Sequence, residues 1–291
     1  MILKYDSFQK YLNDKLFQDS YSDLIRKIAE NPERYIGLFR PTKPKTKLIQ
    51  NITQSHEIRF GDALEFIFEQ YFKACGYRLH QKKIKASDNT ELNIDQLFSI
   101  DDKLYMIEQK VRDDHDSTKK VGQFDNFKKK YESLITLYPK YKIIPIMWFI
   151  DDSLKKNKRF YESKMLLMNQ QYNNCLPKLY YGSQMFSVPD GITDFNEEIW
   201  TETFFHLTRW KQELKDMSEI NFDKNADIVF EEIKNLPLKV FEKIIDNLDV
   251  RSQIFPILFP ENIVPEMLIN YFYSKKDNRY TKLADALLVK I

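Results

Sequence analysis

Glycine is scarce in this chain of 291 residues, which holds 6. Neither GxxxxGK[ST] nor GxGxxG occurs, so a glycine-rich loop that wraps nucleotide phosphates is not expected. The lack of a Walker motif argues against an ATP-driven subunit. There are 2 cysteines, Cys75 and Cys175, far apart and in no CxxC motif. The 4 histidines, His56, His80, His115 and His206, show no zinc-ligand spacing. A reducing interior suits such a chain. The N-terminal MILKYDSFQK has no apolar core of a secretion signal. The longest strongly apolar run, IIPIMWFI from Ile143 to Ile150, is far too short to span a bilayer. The expectation is a soluble, cytoplasmic protein with no membrane partner. Charge of one sign is also missing in bulk: 45 basic and 43 acidic residues leave a net +2, which by itself predicts no nucleic-acid partner.

What the chain does have is core-forming material. It is 43% hydrophobic and 14% aromatic, which argues against disorder. Phe8, Tyr11, Leu12 and Leu16 recur at helical spacing, and Leu24, Ile25 and Ile28 mark a second short helix. PTKPKTK, Pro41 to Lys47, reads as a polar loop. A stronger helix is predicted over about 60–74, with Leu64, Ile67, Phe68, Tyr71 and Phe72 on one face and Gly76 closing it. Residues 77–84 read as extended, and Asp88-Asn89 as a turn. Strands are predicted over 92–100 and 104–111, joined by a hairpin turn at Asp101-Asp102. A helix follows, capped by Asp116 or Ser117, with the stripe Phe124, Phe127, Tyr131 and Leu134. The apolar run from Ile143 then reads as a buried parallel strand beginning at Ile146, because Pro145 cannot donate to a ladder. Residues 172–189 are polar and tyrosine-containing. Beyond about 196 the pattern is helical, with Trp200, Phe204, Phe205 and Trp210 expected in a core.

The stretch NIDQLFSIDDKLYMIEQK, Asn93 to Lys110, carries the chemistry. Strand side chains alternate faces, so Glu108 and Lys110 point one way and Gln109 the other. With a two-residue turn, Ile100 pairs with Lys103, and counting back puts Asp95 opposite Glu108. Two carboxylates placed so repel, and a positive group should sit between them. Such a pair offers hard oxygen ligands to Mg²⁺, which needs one or two of them and completes its shell with water and phosphate. A metal there polarises a phosphoryl oxygen and acidifies a bound water. Lys110 can orient that water, stabilise the charge on phosphorus, or act as a base if its own pKa is depressed. The reaction served is phosphodiester hydrolysis. The bland alternative is an ion pair on an edge strand.

Asp95, Glu108 and Lys110, set on a strand-turn-strand between two helices, resemble the core of the PD-(D/E)xK nuclease superfamily, the fold of most Type II restriction endonucleases. Asp95 matches the first acid, Glu108 the second and Lys110 the lysine. Ile94 stands where the signature has proline. The resemblance covers roughly 56–150. It implies an α/β fold, with a restriction-endonuclease-like mixed sheet flanked by helices and an additional mostly helical C-terminal part. It also implies a Mg²⁺-dependent Type II endonuclease acting at a specific site in double-stranded DNA. A homodimer and a cognate DNA methyltransferase as genetic partner come with that reading. The division expected is 1–55 as an N-terminal helical and loop segment, 56–155 as the catalytic core and 156–291 as a mostly helical region for DNA recognition or dimerisation. Relatives often place a further acid on the first core helix. Glu65 is the choice here, from Asp62, Glu65 and Glu69 on one helix face; a solvent-facing acidic stripe is the alternative.

After Lys110, Arg112 shares the strand face of the triad, and His115, Ser117, Lys119 and Lys120 fall at or near a helix N-terminus suited to phosphate. These five are the candidate DNA contacts. His115 as a general base is possible but not required, and Asp113, Asp114 and Asp116 read as a polar turn and a helix cap. Gln123, the run Lys128-Lys129-Lys130 and Lys43, Lys45 and Lys47 are further DNA candidates against plain solvation. The loop from Tyr180 to Gln184 is a candidate base reader. Two other functions fit the same residues: a structure-selective repair or recombination nuclease, and a non-catalytic DNA-binding protein of the same fold.

Overall fold

The computed structural model describes residues 1–112, 117–172, 175–187, 191–214 and 220–289. The chain opens with α1 (Tyr5–Phe17), α2 (Ser20–Glu30), α3 (Glu33–Ile36) and the long α4 (Pro44–Ala74). Five short extended pieces follow: β1 (Arg78–Leu79), β2 (Lys83–Lys85), β3 (Glu91–Asn93), β4 (Gln96–Ile100) and β5 (Lys103–Lys110). Then come α5 (Ser117–Leu137), β6 (Lys142–Phe149), α6 (Lys158–Gln171), β7 (Lys178–Tyr181) and α7 (Glu198–Glu213). The remainder is helical: α8 (Ala226–Ile233), α9 (Leu238–Ile245), α10 (Leu248–Gln253), α11 (Phe255–Leu258), α12 (Ile263–Ser274) and α13 (Asn278–Leu288). Among the described residues no helix is long and apolar enough to cross a membrane.

The chain packs into two compact units. One contains Met1–Leu12 and Gly61–Glu213; the other contains Asn13–Phe60 and Leu214–Ile291. The chain passes from one unit to the other within α1 and again within α4.

The first unit is built on a mixed sheet in the order β1-β4-β5-β6-β7. β1, β4 and β5 are antiparallel, whereas β5, β6 and β7 run parallel. Alternation assigns the two faces. Leu104 and Met106 of β5 join Leu97, Met147 and Phe149 against Phe124, Phe127, Tyr131 and Leu134 of α5 and Tyr161, Met165 and Met168 of α6. On the other face Phe98 packs on Phe72 of α4 and on Phe195, while Trp148 meets Phe68 edge-on. This is the α/β sheet flanked by helices expected from the sequence, and the parallel β5–α5–β6 unit is present. Asp101 closes the β4–β5 hairpin with φ 52°, and Ile100 pairs with Lys103.

Five local expectations change. The predicted helix at 60 begins at Pro44, so Lys45 and Lys47 lie on its first turns and not in a loop; proline is well placed at a first helical turn, where its missing N–H costs nothing. The strand expected over 92–100 is broken between β3 and β4, with Asp95 in the bend. β6 starts at Lys142 and includes Pro145, opposite Met106. Pairing with β7 begins only at Ile146, so Pro145 precedes the stretch that has neighbours on both sides. The polar loop over 172–189 contains the fifth strand, β7, in which Tyr180 and Tyr181 are buried. Finally, α7 buries Ile199, Thr203, His206 and Trp210, leaving Phe204 and Phe205 each 65% exposed where a core position was expected.

The second unit is helical. Leu24, Ile25 and Ile28 of α2, Tyr35, and Leu48 of α4 share a core with Val229, Ile233, Phe241, Leu258, Val264 and Phe272. Its one buried acid of note, Asp223, accepts the backbone N–H groups of Glu261 at 2.8 Å and Val264 at 3.0 Å. That satisfies donors at the start of α12, which otherwise have no intrahelical acceptor.

Candidate active site

The site forms where β4 stops and β5 continues. β4 pairs with β5 from Ile100↔Lys103 to Gln96↔Ile107, and the next pair in that register is Asp95 opposite Glu108. Asp95 lies just before the strand, so its carboxylate replaces the backbone ladder. Its Oδ2 accepts the Gln109 N–H at 2.8 Å. The Lys110 ammonium sits between the two acids, 2.8 Å from Glu108 Oε1 and 3.3 Å from Asp95 Oδ2. The positive group required between two facing carboxylates is therefore Lys110 itself.

A second ammonium was not foreseen. Lys130 of α5 donates to Glu108 Oε2 at 2.6 Å and is only 3% exposed. Its position was readable: Lys130 is three residues beyond Phe127 and four before Leu134, on the face of α5 that buries both. The reading of Lys128-Lys129-Lys130 as an open phosphate-binding run is corrected accordingly. Lys129 is ion-paired with Asp88 at 2.7 Å, and Lys128 lies over the Tyr172 ring.

Electrostatics separate the two acids. Burial, with the nearby Glu108 charge adding to it, pushes Asp95 above its ordinary value against the pull of Lys110 and Lys130. Burial alone would raise Glu108 too, but the ammoniums of Lys110 and Lys130 outweigh it and hold Glu108 below the usual carboxylate range. For Lys110 burial works against the charge, yet Glu108 and Asp95 prevail and its pKa is raised. The depressed pKa needed for Lys110 to serve as a base is absent; it is a fixed cation.

Glu65 of α4 stands near enough to Asp95 to sense its charge. Its side chain is engaged by Lys82 at 2.5 Å, which also holds Glu69 at 2.8 Å. Burial raises the Glu65 pKa, and Lys82 opposes that shift. Among the described residues, no three His, Cys, Asp or Glu side chains form a ready-made metal cluster. The donor set still suits Mg²⁺. Two carboxylates face each other, and Asp95 Oδ1 has no hydrogen-bond partner among the described residues. One or two carboxylates, water and phosphate complete the shell that ion takes.

Of the candidate DNA contacts, Arg112 and Lys119 are exposed. Lys120 reaches Asn157 Oδ1 at 3.2 Å and lies over the Phe160 ring. His115 and the Ser117 side chain lie outside the described residues. Gln123 accepts from the Tyr161 hydroxyl at 2.5 Å, and Gln184 accepts the Tyr181 N–H at 3.1 Å, so both are engaged within the fold.

A family model, that of the Type II restriction endonuclease HinfI, matches residues 4–102 and 69–197. The chain belongs to the HinfI family of Type II restriction endonucleases. The match takes in α1 through β7, including Asp95 and the strand that carries Glu108 and Lys110. It agrees with the PD-(D/E)xK resemblance and with the restriction-endonuclease-like α/β sheet. A restriction endonuclease family acts on DNA, and families of this type generally use a divalent metal. No individual curated protein matches the chain.

Proposed function

We propose that the chain is a Mg²⁺-dependent endonuclease that hydrolyses phosphodiester bonds at a specific site in duplex DNA, with Asp95, Glu108 and Lys110 as catalytic residues. The observation that carries the reading is the Lys110 ammonium held between Asp95 and Glu108. Asp95 and Glu108, joined by Glu65, are the residues that would hold the metal. When bound, it would supply Lewis-acid polarisation of the phosphate and a more acidic water.

The residues themselves do the rest. Asp95 is fixed by the Gln109 N–H on Oδ2, which sets the direction of its carboxylate. Lys110, a cation at neutral pH, donates to a non-bridging phosphate oxygen or to the attacking water and stabilises charge as it builds on phosphorus. Water gives up one proton to solvent as its oxygen bonds to phosphorus, one P–O ester bond breaks, and the departing oxygen takes up a proton from solvent. Arg112, Lys119 and Lys120, with His115 and Ser117, are the proposed phosphate contacts along the DNA. The enzyme acts as a homodimer, because a two-fold protein matches a palindromic site, and a cognate DNA methyltransferase is its genetic partner.

The test is cleavage of mixed plasmid DNA by the purified protein and by Lys110→Ala, with Mg²⁺ or with EDTA. Discrete fragments from the wild type with Mg²⁺ alone, and a loss of about 10²-fold or more in the variant, are expected. No cleavage of plain duplex, with activity on branched DNA, would replace this reading by a structure-selective nuclease.

A further inference from the structure

Lys130 has no role in the chemistry just described. It is buried on α5 and cannot reach out to a DNA backbone. Lysine is almost never so buried unless paired, and its partner is the acid that Lys110 already neutralises. Four charged groups thereby form one chain of ion pairs, from Asp95 to Lys110, from Lys110 to Glu108 and from Glu108 to Lys130. Their charges cancel. Beyond them, Glu65 and Glu69 share the single cation of Lys82. A cation approaching the Asp95–Glu108 pair thus meets carboxylates whose field is largely compensated.

Building on the proposed metal-dependent reading, we propose that Lys130 is a tuning residue that keeps the DNA-free site weak for divalent metal. The metal then loads chiefly when DNA phosphate adds negative charge. One ammonium suffices to place Glu108, since Lys110 already contacts its Oε1. The second occupies Oε2 and subtracts one charge from the field that a dication feels. Lys130 acts through Glu108 and touches no substrate. A purely structural Lys130 makes the opposite prediction: its loss would loosen Glu108 and weaken metal binding.

The direction of the change therefore decides the matter. Mn²⁺ binding to the full-length protein without DNA is followed by electron paramagnetic resonance for wild type, Lys130→Met, Lys130→Gln and Lys130→Arg, with thermal melts alongside. Lys130→Gln keeps a hydrogen-bond donor for Glu108 Oε2 and guards against a misfolded Lys130→Met. Mn²⁺ affinity about tenfold tighter in the two neutral variants, with Lys130→Arg like the wild type, is expected. Unchanged or weaker affinity in folded neutral variants overturns the inference. Asp95→Ala separates the two levels. If wild type binds no Mn²⁺ even beside duplex DNA, or if Asp95→Ala leaves binding intact, the metal-site reading fails and the inference with it. If Asp95→Ala abolishes binding but Lys130→Gln does not tighten it, the inference alone falls.

Discussion

Replacing Glu108 by Gln should unfold the first unit more easily, by an amount the structure bounds. Glu108 is buried, with its side chain 7% exposed, and among the described residues it is the ion-pair partner of Lys130. Without that charge, Lys110 still has Asp95, but Lys130 is left as an unpaired ammonium in the interior. Breaking a buried pair from one side costs about 3–5 kcal/mol. A ceiling exists, because the lysine can fold as the neutral amine. Releasing that proton at pH 7 costs about 4.6 kcal/mol for an ordinary lysine. The expected loss is about 3 kcal/mol, since the amide still offers an oxygen to Lys130. If the folded variant does take up the neutral amine, its unfolded form binds one proton more. Stability relative to wild type then rises by about 1.4 kcal/mol per pH unit from pH 7 towards 10. The assay is urea unfolding followed by tryptophan fluorescence. The 3 tryptophans, Trp148, Trp200 and Trp210, all lie in the first unit, so the signal reports on that unit alone. The pair Glu108→Gln/Lys130→Met should lose less than the sum of the single changes, because the stranded charge is gone. A Glu108→Gln protein within about 0.5 kcal/mol of wild type at pH 7, with no gain at higher pH, would refute this account of the buried pair.

Three further outcomes are expected. Glu65→Gln should lower cleavage by about tenfold or more while leaving the melting temperature nearly unchanged, because Lys82 keeps Glu69; cleavage at the wild-type rate would remove Glu65 from the site. Asp194 accepts from Lys103 at 2.6 Å and from the Tyr105 hydroxyl, bonds that hold its pKa below the ordinary value, so its stabilisation is present at neutral pH and is lost as pH falls through that lowered value. Asp194→Asn should therefore cost about 1–2 kcal/mol at pH 7, and the difference from wild type should shrink at strongly acidic pH in chemical-denaturation curves. Phe98→Ala should cost about 3–5 kcal/mol, since the fully buried ring packs on Phe72, Tyr77, Tyr105 and Phe195; a cost under about 1 kcal/mol in the same assay would mean the sheet face repacks freely.

The arrangement of the candidate site was legible because hairpin register is arithmetic. A two-residue turn and a period of two suffice to put Asp95 across from Glu108, with Lys110 on the same face. The parallel pairing of β5 with β6 followed from a helix lying between two apolar strands. Lys130 was harder to see because a run of three lysines reads as surface, although one member falls on the stripe that Phe127 and Leu134 define. β7 was missed because it is four residues long and flanked by Pro177 and Gly182, which are turn signals. Phe204 and Phe205 misled in the opposite way. Large aromatics at near-helical spacing suggest a core, but the buried face of α7 is offset from them and turns on Thr203 and His206, which a hydrophobic count overlooks. The second unit offered short helices and prolines, but no motif from which its partners among distant segments could be inferred.

The interleaving of the two units has a practical consequence for anyone hoping to isolate one. The backbone changes unit at residues 12/13, 60/61 and 213/214, the first two inside continuous helices. A nuclease fragment released by one protease nick, or expressed from one stop codon, would either sever α1 and α4 mid-turn or carry stretches of the other unit with their apolar sides bare. Dissection should instead proceed through point substitutions, or through rewired chain order that rejoins 1–12 to 61–213 with a designed loop.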